Sequence, residues 1–280
     1  MNKNLKKSIH FLNEQFVEEE DLKISPRDLG YARGYAIVDF LVTHNNKPFK
    51  LTEHINRLFN SASLIGLKIP WTRSQIIDWI TRTLSKNPPG EKVIKIIISG
   101  GNSTFLLPQS ETPTIVIMVD PRKPMPERLY TEGMEVIAVE FTRYSPHAKT
   151  NNYIEAVKQA QIAKAKGASE AIYFDKTQVY ESSTSNIFAL IDRKLKTPKT
   201  NVLGGVTRDV LLEILKLKIP IIVEDFTLDD LLKAEEVFLT SSNREIAPVV
   251  KIDGKNIGNG EVGEITKEVM KQYKEYTSKN

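Results

Sequence analysis

Three prolines fall within the six residues Pro121-Arg-Lys-Pro124-Met-Pro126. Proline fixes its own φ and donates no backbone hydrogen bond, so neither a helix nor a central strand continues through such a stretch. It reads as a linker. With 280 residues available, long enough for two ordinary cores, the expected organisation is a first domain over 1–120, a linker over 121–129 and a second domain over 130–280.

Both sides of the linker mix helical and strand periods without a simple βαβ alternation. The pattern predicts an α+β fold and no Rossmann sheet. In the first part, residues 8–24 read as a hairpin around Asn13-Glu14, and 28–42 as a loop feeding a strand. Asn45-Asn-Lys-Pro48 reads as a second turn. Leu51, Ile55, Leu58, Phe59, Ala62 and Ile65 lie at helical spacing. Thr72 and Gln75 form a capping-box pattern for the next helix, and strands are expected over 93–99 and 114–119. In the second part, a β-like run from Met134 to Phe141 precedes a helix over 152–166. Strands over 171–175, 178–181, 186–191, 219–223 and 236–240 then mix with helices over 207–217, 227–234 and 264–276.

Composition narrows the function classes. Charged residues make up 26% with a net charge of +4, and no basic stripe with interleaved aromatics suggests nucleic acid. The chain has no cysteine, so thiolate chemistry, disulfides and Cys-based metal sites are excluded. The four histidines lack zinc-like spacing, and no metal is expected. The apolar runs are too short to span a bilayer, and the basic start, Met1 to Lys7, has no apolar run behind it. The expected location is the cytoplasm.

The chemistry is expected in Arg143-Tyr-Ser-Pro-His-Ala-Lys149-Thr-Asn-Asn-Tyr153. Thr150 and Asn151 can cap the following helix, which would place Tyr153 one turn from Lys149. A lysine at such a junction becomes a nucleophile if it is desolvated or near another cation; taken alone, it reads first as surface charge. Arg57 reads as an anion ligand or as a surface partner of Glu53 at i, i+4. Glu181 ends a strand, where a solvated acid is the commoner case. Gly204-Gly205-Val206-Thr207 precedes a helix, where free N–H groups can bind phosphate. Ser241-Ser242 ends a strand.

Five blocks occur in order: Glu53-His-Ile-Asn-Arg57-Leu58, the Lys149 stretch, Glu181-Ser-Ser-Thr-Ser-Asn186, Leu203-Gly-Gly-Val-Thr-Arg208 and Glu236-Val-Phe-Leu-Thr-Ser-Ser242. Together, from about Asp28 to Val250, they resemble the class IV aminotransferases. This fold type IV group of pyridoxal 5′-phosphate (PLP) enzymes includes branched-chain and D-amino-acid aminotransferases and aminodeoxychorismate lyase. The resemblance implies a small N-terminal α/β domain, a larger mixed-sheet domain that binds PLP, and a homodimer. It implies transamination between an amino acid and a 2-oxo acid by a ping-pong route. Lys149 would form the Schiff base and shuttle the proton. Tyr153 would meet the cofactor's phenolic oxygen and Glu181 its pyridine nitrogen. Leu203 would pack under the ring, while Arg57, Val206, Thr207, Ser241 and Ser242 would hold the phosphate. Tyr31, Arg33, Arg143 and Ser183 are the candidates for reading substrate. Two other readings stand beside this one, a lyase on the same fold and a PLP-binding relative without turnover. The chain departs from the Tyr-Phe-Gly…Phe-Glu-Gly pattern of branched-chain enzymes and from the Phe-Gly-Asp run of D-amino-acid enzymes. Arg33 occupies a position where neither pattern has arginine.

Overall fold

The computed structural model describes residues 7–108 and 112–279. Of the basic Met1–Lys7 stretch, only Lys7 falls among the described residues. The chain divides into two compact units. The first holds the chain up to Lys123 together with Ala148–Asn152; the second holds Pro124–His147 and Tyr153–Lys279.

In the first unit, β1 (Ile9–Leu12) and β2 (Gln15–Glu18) form the expected hairpin, turned by Asn13 and Glu14, both at positive φ. The start of the 28–42 segment, expected as a loop, contains a short helix instead, α1 (Leu29–Arg33). Asp28 accepts the Gly30 N–H at its start, and Gly34 closes it at φ +69°, a conformation glycine adopts without strain. Then come β3 (Ala36–His44), β4 (Lys47–Pro48), α2 (Leu51–Leu64), α3 (Arg73–Ser85), β5 (Lys92–Ser99) and β6 (Thr114–Pro121). The strands form a sheet in the order β2-β1-β6-β5-β3-β4. Strand side chains alternate between faces. Ile94, Ile96 and Ile98 of β5 and Ile115, Ile117 and Val119 of β6 share a core with Ile55 and Leu58 of α2 and Ile76 and Ile80 of α3. From β3 come Ile37 and Leu41. Asp39 has the same parity and is fully buried, which puts a carboxylate where the pattern demands hydrocarbon.

The second unit contains α4 (Arg128–Thr131), β7 (Met134–Glu140), α5 (Ile154–Ala165), β8 (Glu170–Phe174), β9 (Val179–Ser182), β10 (Asn186–Ile191), β11 (Lys194–Thr197) and α6 (Val206–Ile214). It continues with β12 (Ile221–Val223), α7 (Leu228–Leu232), β13 (Glu236–Ser241), β14 (Glu245–Ile252), β15 (Lys255–Asn256) and α8 (Glu264–Lys279). Among the described residues its sheet runs β12-β11-β10-β13-β14-β7-β8-β9, with β15 on β14. The β14–β7, β7–β8 and β11–β12 pairs are parallel. Strands β11, β14 and β15 go beyond the sequence pattern; Pro248 interrupts the apolar run of β14, and there it faces Phe238 of β13. Helix α5 begins two residues later than expected. Its N-cap is Tyr153, so neither Thr150 nor Asn151 caps it.

The capping box on α3 is reciprocal: Thr72 Oγ1 accepts the Gln75 N–H, and Gln75 Oε1 accepts the Thr72 N–H. Thr72→Ala should therefore cost about 1 kcal/mol, read as a lower urea midpoint. An unchanged midpoint would show that the sheet alone holds α3.

Candidate active site

In the first unit, residues 149–151 lie antiparallel along β3. The Lys149 carbonyl accepts the Val38 N–H at 2.8 Å, Thr150 bridges Ile37, and the Asn151 N–H reaches the Ala36 carbonyl at 3.2 Å. This edge is open because β4 pairs only with Thr43 and His44. The Lys149 N–H donates to Ser61 Oγ at 3.0 Å, and Ser61 Oγ donates to the Arg57 carbonyl at 2.9 Å. Both backbone groups of Lys149 are thus fixed, and the side chain is the part left to move.

Beneath this segment lies the buried Asp39. Arg57 forks onto it, Nε to Oδ2 at 2.9 Å and Nη2 to Oδ1 at 2.8 Å. His54 Nδ1 lies 2.7 Å from Oδ1. Burial alone would raise the Asp39 pKa, but the charges of Arg57 and His54 outweigh it and hold the carboxyl well below the usual carboxylate range. His54 moves down, because burial and the positive charges of Arg57 and Lys149 outweigh the attraction of Asp39. The expected alternative partner of Arg57, Glu53, pairs with Lys50 instead.

In the second unit, Glu181 is buried and held on three sides. Arg143 Nη1 donates to Oε1 at 2.5 Å, while the Leu203 N–H and Asn186 Nδ2 reach Oε2 at 3.0 and 3.3 Å. Asn186 Nδ2 also donates to the Leu203 carbonyl. Gly205 lies so close that a Cβ there would fall 1.7 Å from Asn186 Oδ1, so any larger residue would have to displace the Asn186 amide. Gly205 is also the N-cap of α6 and offers no capping side chain. Val206 and Thr207, both buried, form the first turn of that helix. Arg208 is turned away from that end, onto Thr197 Oγ1 and the Pro198 carbonyl. Ser241 ends β13 and Ser242 begins the turn after it.

The structure brings Arg57 and Lys149 together through Ser61, and groups Glu181 with Leu203 and Arg143. Tyr153 stands outside any helical turn shared with Lys149, since residues 149–152 are not helical. Tyr31 and Arg33 lie on α1 and are exposed, with Arg33 Nη1 donating to the Ala32 carbonyl. Ser183 bonds the Ala171 carbonyl. Sequence reasoning passed over Asp39, Ser61 and Asn186 as functional positions. Asp39 carried a signal, an acid in the apolar register of a strand; Ser61 carried none. Elsewhere, His10, Glu19 and Asp120 bring three ligand-type atoms together. His10 Nδ1 accepts the Val119 N–H, so Nε2 carries the proton and donates it to Glu19, leaving no lone pair for a cation.

The sequence profile of the amino-transferase class IV family matches residues 36–252. The chain belongs to the class IV aminotransferases. It is 34% identical over 280 residues to a "Putative branched-chain-amino-acid aminotransferase" of Methanocaldococcus jannaschii, covering 96% of each chain. It is 31% identical over 274 residues to the D-alanine aminotransferase of Staphylococcus epidermidis, covering 95% of this chain and 96% of the relative. Its fold is similar to the branched-chain aminotransferase of the thermophilic archaeon Thermoproteus uzoniensis with norvaline, at a TM-score of 0.89 and 25% identity, covering 98% and 96% of the two chains. A further branched-chain amino acid aminotransferase of the same fold, solved with pyridoxamine 5′-phosphate, matches at a TM-score of 0.91 and 25% identity, covering 99% and 96%. The cofactor of the family is PLP. No helix among the described residues is long and apolar enough to cross a membrane.

The lowered His54 pKa has a stability consequence. The unfolded chain takes up this proton near the ordinary value of 6.5, and the folded chain only at lower pH. Stability therefore rises with pH up to about 6.5 and falls below it as the solution is acidified. His54→Asn keeps a donor toward Asp39 and removes the titration, so the fall in melting temperature between pH 7 and pH 5 should become shallower. An identical slope in both proteins would assign the acid sensitivity elsewhere.

Proposed function

We propose that this protein is a PLP-dependent transaminase that moves an amino group between an amino acid, branched-chain or D-configured, and a 2-oxo acid in a ping-pong cycle. The observation that carries the reading is the fixing of Lys149 at both its N–H and its carbonyl, which confines motion to its amine. The residues present fit the cofactor. Helix α6 starts without a side-chain cap, leaving first-turn N–H groups suited to a phosphate. Thr240 Oγ1 and Ser185 Oγ are buried without a hydrogen-bond partner among the described residues.

When bound, PLP supplies an electron sink for the charge left by loss of an α-proton. Lys149 would hold it through Nζ, and the same amine would be the group that takes up and returns that proton. Glu181 offers its negative charge to the pyridine nitrogen, and Arg143, Asn186 and the Leu203 N–H orient that carboxylate. Arg143 is thereby a positioning residue in this reading and no longer a substrate clamp. As the resemblance implies, Arg57, Val206, Thr207, Ser241 and Ser242 would serve the phosphate, Tyr153 the phenolic oxygen, and Leu203 the ring face. The reading includes a homodimer, as the resemblance implies, and the cytoplasmic location expected from the sequence.

Borohydride reduction of the protein incubated with PLP should label one peptide, the one containing Lys149, and Lys149→Ala should lose the label. A panel of D- and L-amino acids with pyruvate or 2-oxoglutarate should then show transfer to the oxo acid. Absence of both label and transfer would overturn the reading.

Among the described residues, Arg33 is the guanidinium of the substrate candidates that is not paired with an acid, and a guanidinium fork is the strongest side-chain match for a carboxylate. Arg33→Ala should raise KM for amino acids and oxo acids roughly tenfold or more, a loss of about 1.5–3 kcal/mol, and spare amines that lack a carboxylate. Arg33→Lys should recover part of the loss. Equal loss for both donor classes would make Arg33 a residue that shapes α1.

A further inference from the structure

Glu170, the first residue of β8, is a buried acid that the proposed chemistry does not use. Its Oε1 accepts the Thr184 N–H at 2.7 Å, Thr184 Oγ1 at 2.7 Å and Ser182 Oγ at 2.8 Å. Its other oxygen, Oε2, takes Arg244 Nη1. One carboxylate thus serves two turns far apart in the chain. The first, after β9, runs from Ser182 to Ser185, where the Ser185 N–H also reaches Ser182 Oγ at 3.0 Å. It lies between Glu181 and Asn186, the residues joined through Asn186 Nδ2. The second joins β13 to β14 and holds Ser242. Within it the Arg244 N–H meets Ser241 Oγ at 3.4 Å, and the Arg244 carbonyl accepts from Tyr130.

We propose that Glu170 is a positioning residue that locks these two turns to each other and so sets the affinity for the cofactor held by Glu181, Ser241 and Ser242. The inference rests on the PLP reading above. A buried carboxylate is expensive unless its partners stay in place. Neither turn can swing outward alone without leaving that charge short of donors, so the two keep one geometry. A turn tied only by its own short hydrogen bonds would sample several.

The test breaks the link from each end in the full chain. Glu170→Gln keeps an acceptor for Thr184 but turns an amide N–H₂ toward Arg244. Arg244→Ala removes the cation from its more exposed end, where the side chain is 28% accessible. PLP dissociation constants are read by fluorescence titration of the PLP-stripped protein, with hydrogen–deuterium exchange on the same samples. Each single variant should bind PLP about tenfold more weakly, which corresponds to about 1.4 kcal/mol. The double variant should be no worse than either single, because one link is lost in all three. Exchange should speed up in peptides covering 182–186 and 241–244. Arg244→Lys should recover most of the affinity.

Affinities within about twofold of the unchanged chain, whatever happens to the melting temperature, would reduce Glu170 to scaffold and overturn the proposal. So would losses that add in the double variant. If Glu170→Gln fails to fold, the contrast of Arg244→Ala with Arg244→Lys decides the matter in the same way. An unchanged chain that binds no PLP would strike the functional reading instead.

Discussion

A closed circuit of hydrogen bonds surrounds Lys149 in the first unit. The Val38 N–H holds the Lys149 carbonyl, and Asp39, the next residue on β3, takes the fork of Arg57. The Arg57 carbonyl accepts from Ser61 Oγ, and Ser61 Oγ accepts the Lys149 N–H. Every member is fixed by its neighbours, so the lysine is placed by strand, helix and edge segment together. The cost is a carboxylate in the hydrocarbon face of β3. Breaking one side of such a buried pair is worth roughly 3–5 kcal/mol, far more than the surface pairs elsewhere in the chain contribute. The circuit therefore specifies a geometry more than it adds net stability.

The second unit solves the same problem with two other acids. Glu181 is surrounded by Arg143, Asn186 and a backbone N–H, and Glu170 by hydroxyls, a backbone N–H and Arg244. Both carboxylates lie at strand ends beside turns. In that place a strand lends its rigidity to a loop, and the charge makes departure costly. The close approach of Gly205 to Asn186 extends this order to the first turn of α6. Neutral pairs would hold these turns less firmly, since hydrogen bonds to ionised groups are roughly twice as strong.

Membership of the class IV aminotransferases brings together relatives named for branched-chain and for D-amino acids at 34% and 31% identity. Chemistry common to both would need the lysine, the acid and the phosphate-type helix start. Substrate choice would depend on residues outside those blocks. Arg33, exposed on α1, occupies a position where neither familiar pattern has arginine.

The sequence by itself determined what depends on neighbours three or four residues away, and the order of its blocks. The hairpin at Asn13-Glu14, the apolar face of α2 and the capping box of α3 follow from local rules, and the five ordered blocks suffice to mark the family. Local rules also erred in a consistent way. Beside an anion-ligand role they offered Arg57 a partner four residues back, where the fold supplies Asp39, eighteen residues away, because β3 and α2 pack face to face. They gave Lys149 and Tyr153 a shared helical turn, where the open edge of β3 holds residues 149–151 by one bridge and two backbone hydrogen bonds, and α5 starts only at Ile154. Ser61, the Arg143 pairing and both ends of the Glu170 link were decided only by the tertiary structure. Each joins residues between 12 and 88 positions apart. Strand edges and buried charges choose partners by position in space, and no period of 2 or 3.6 encodes that choice.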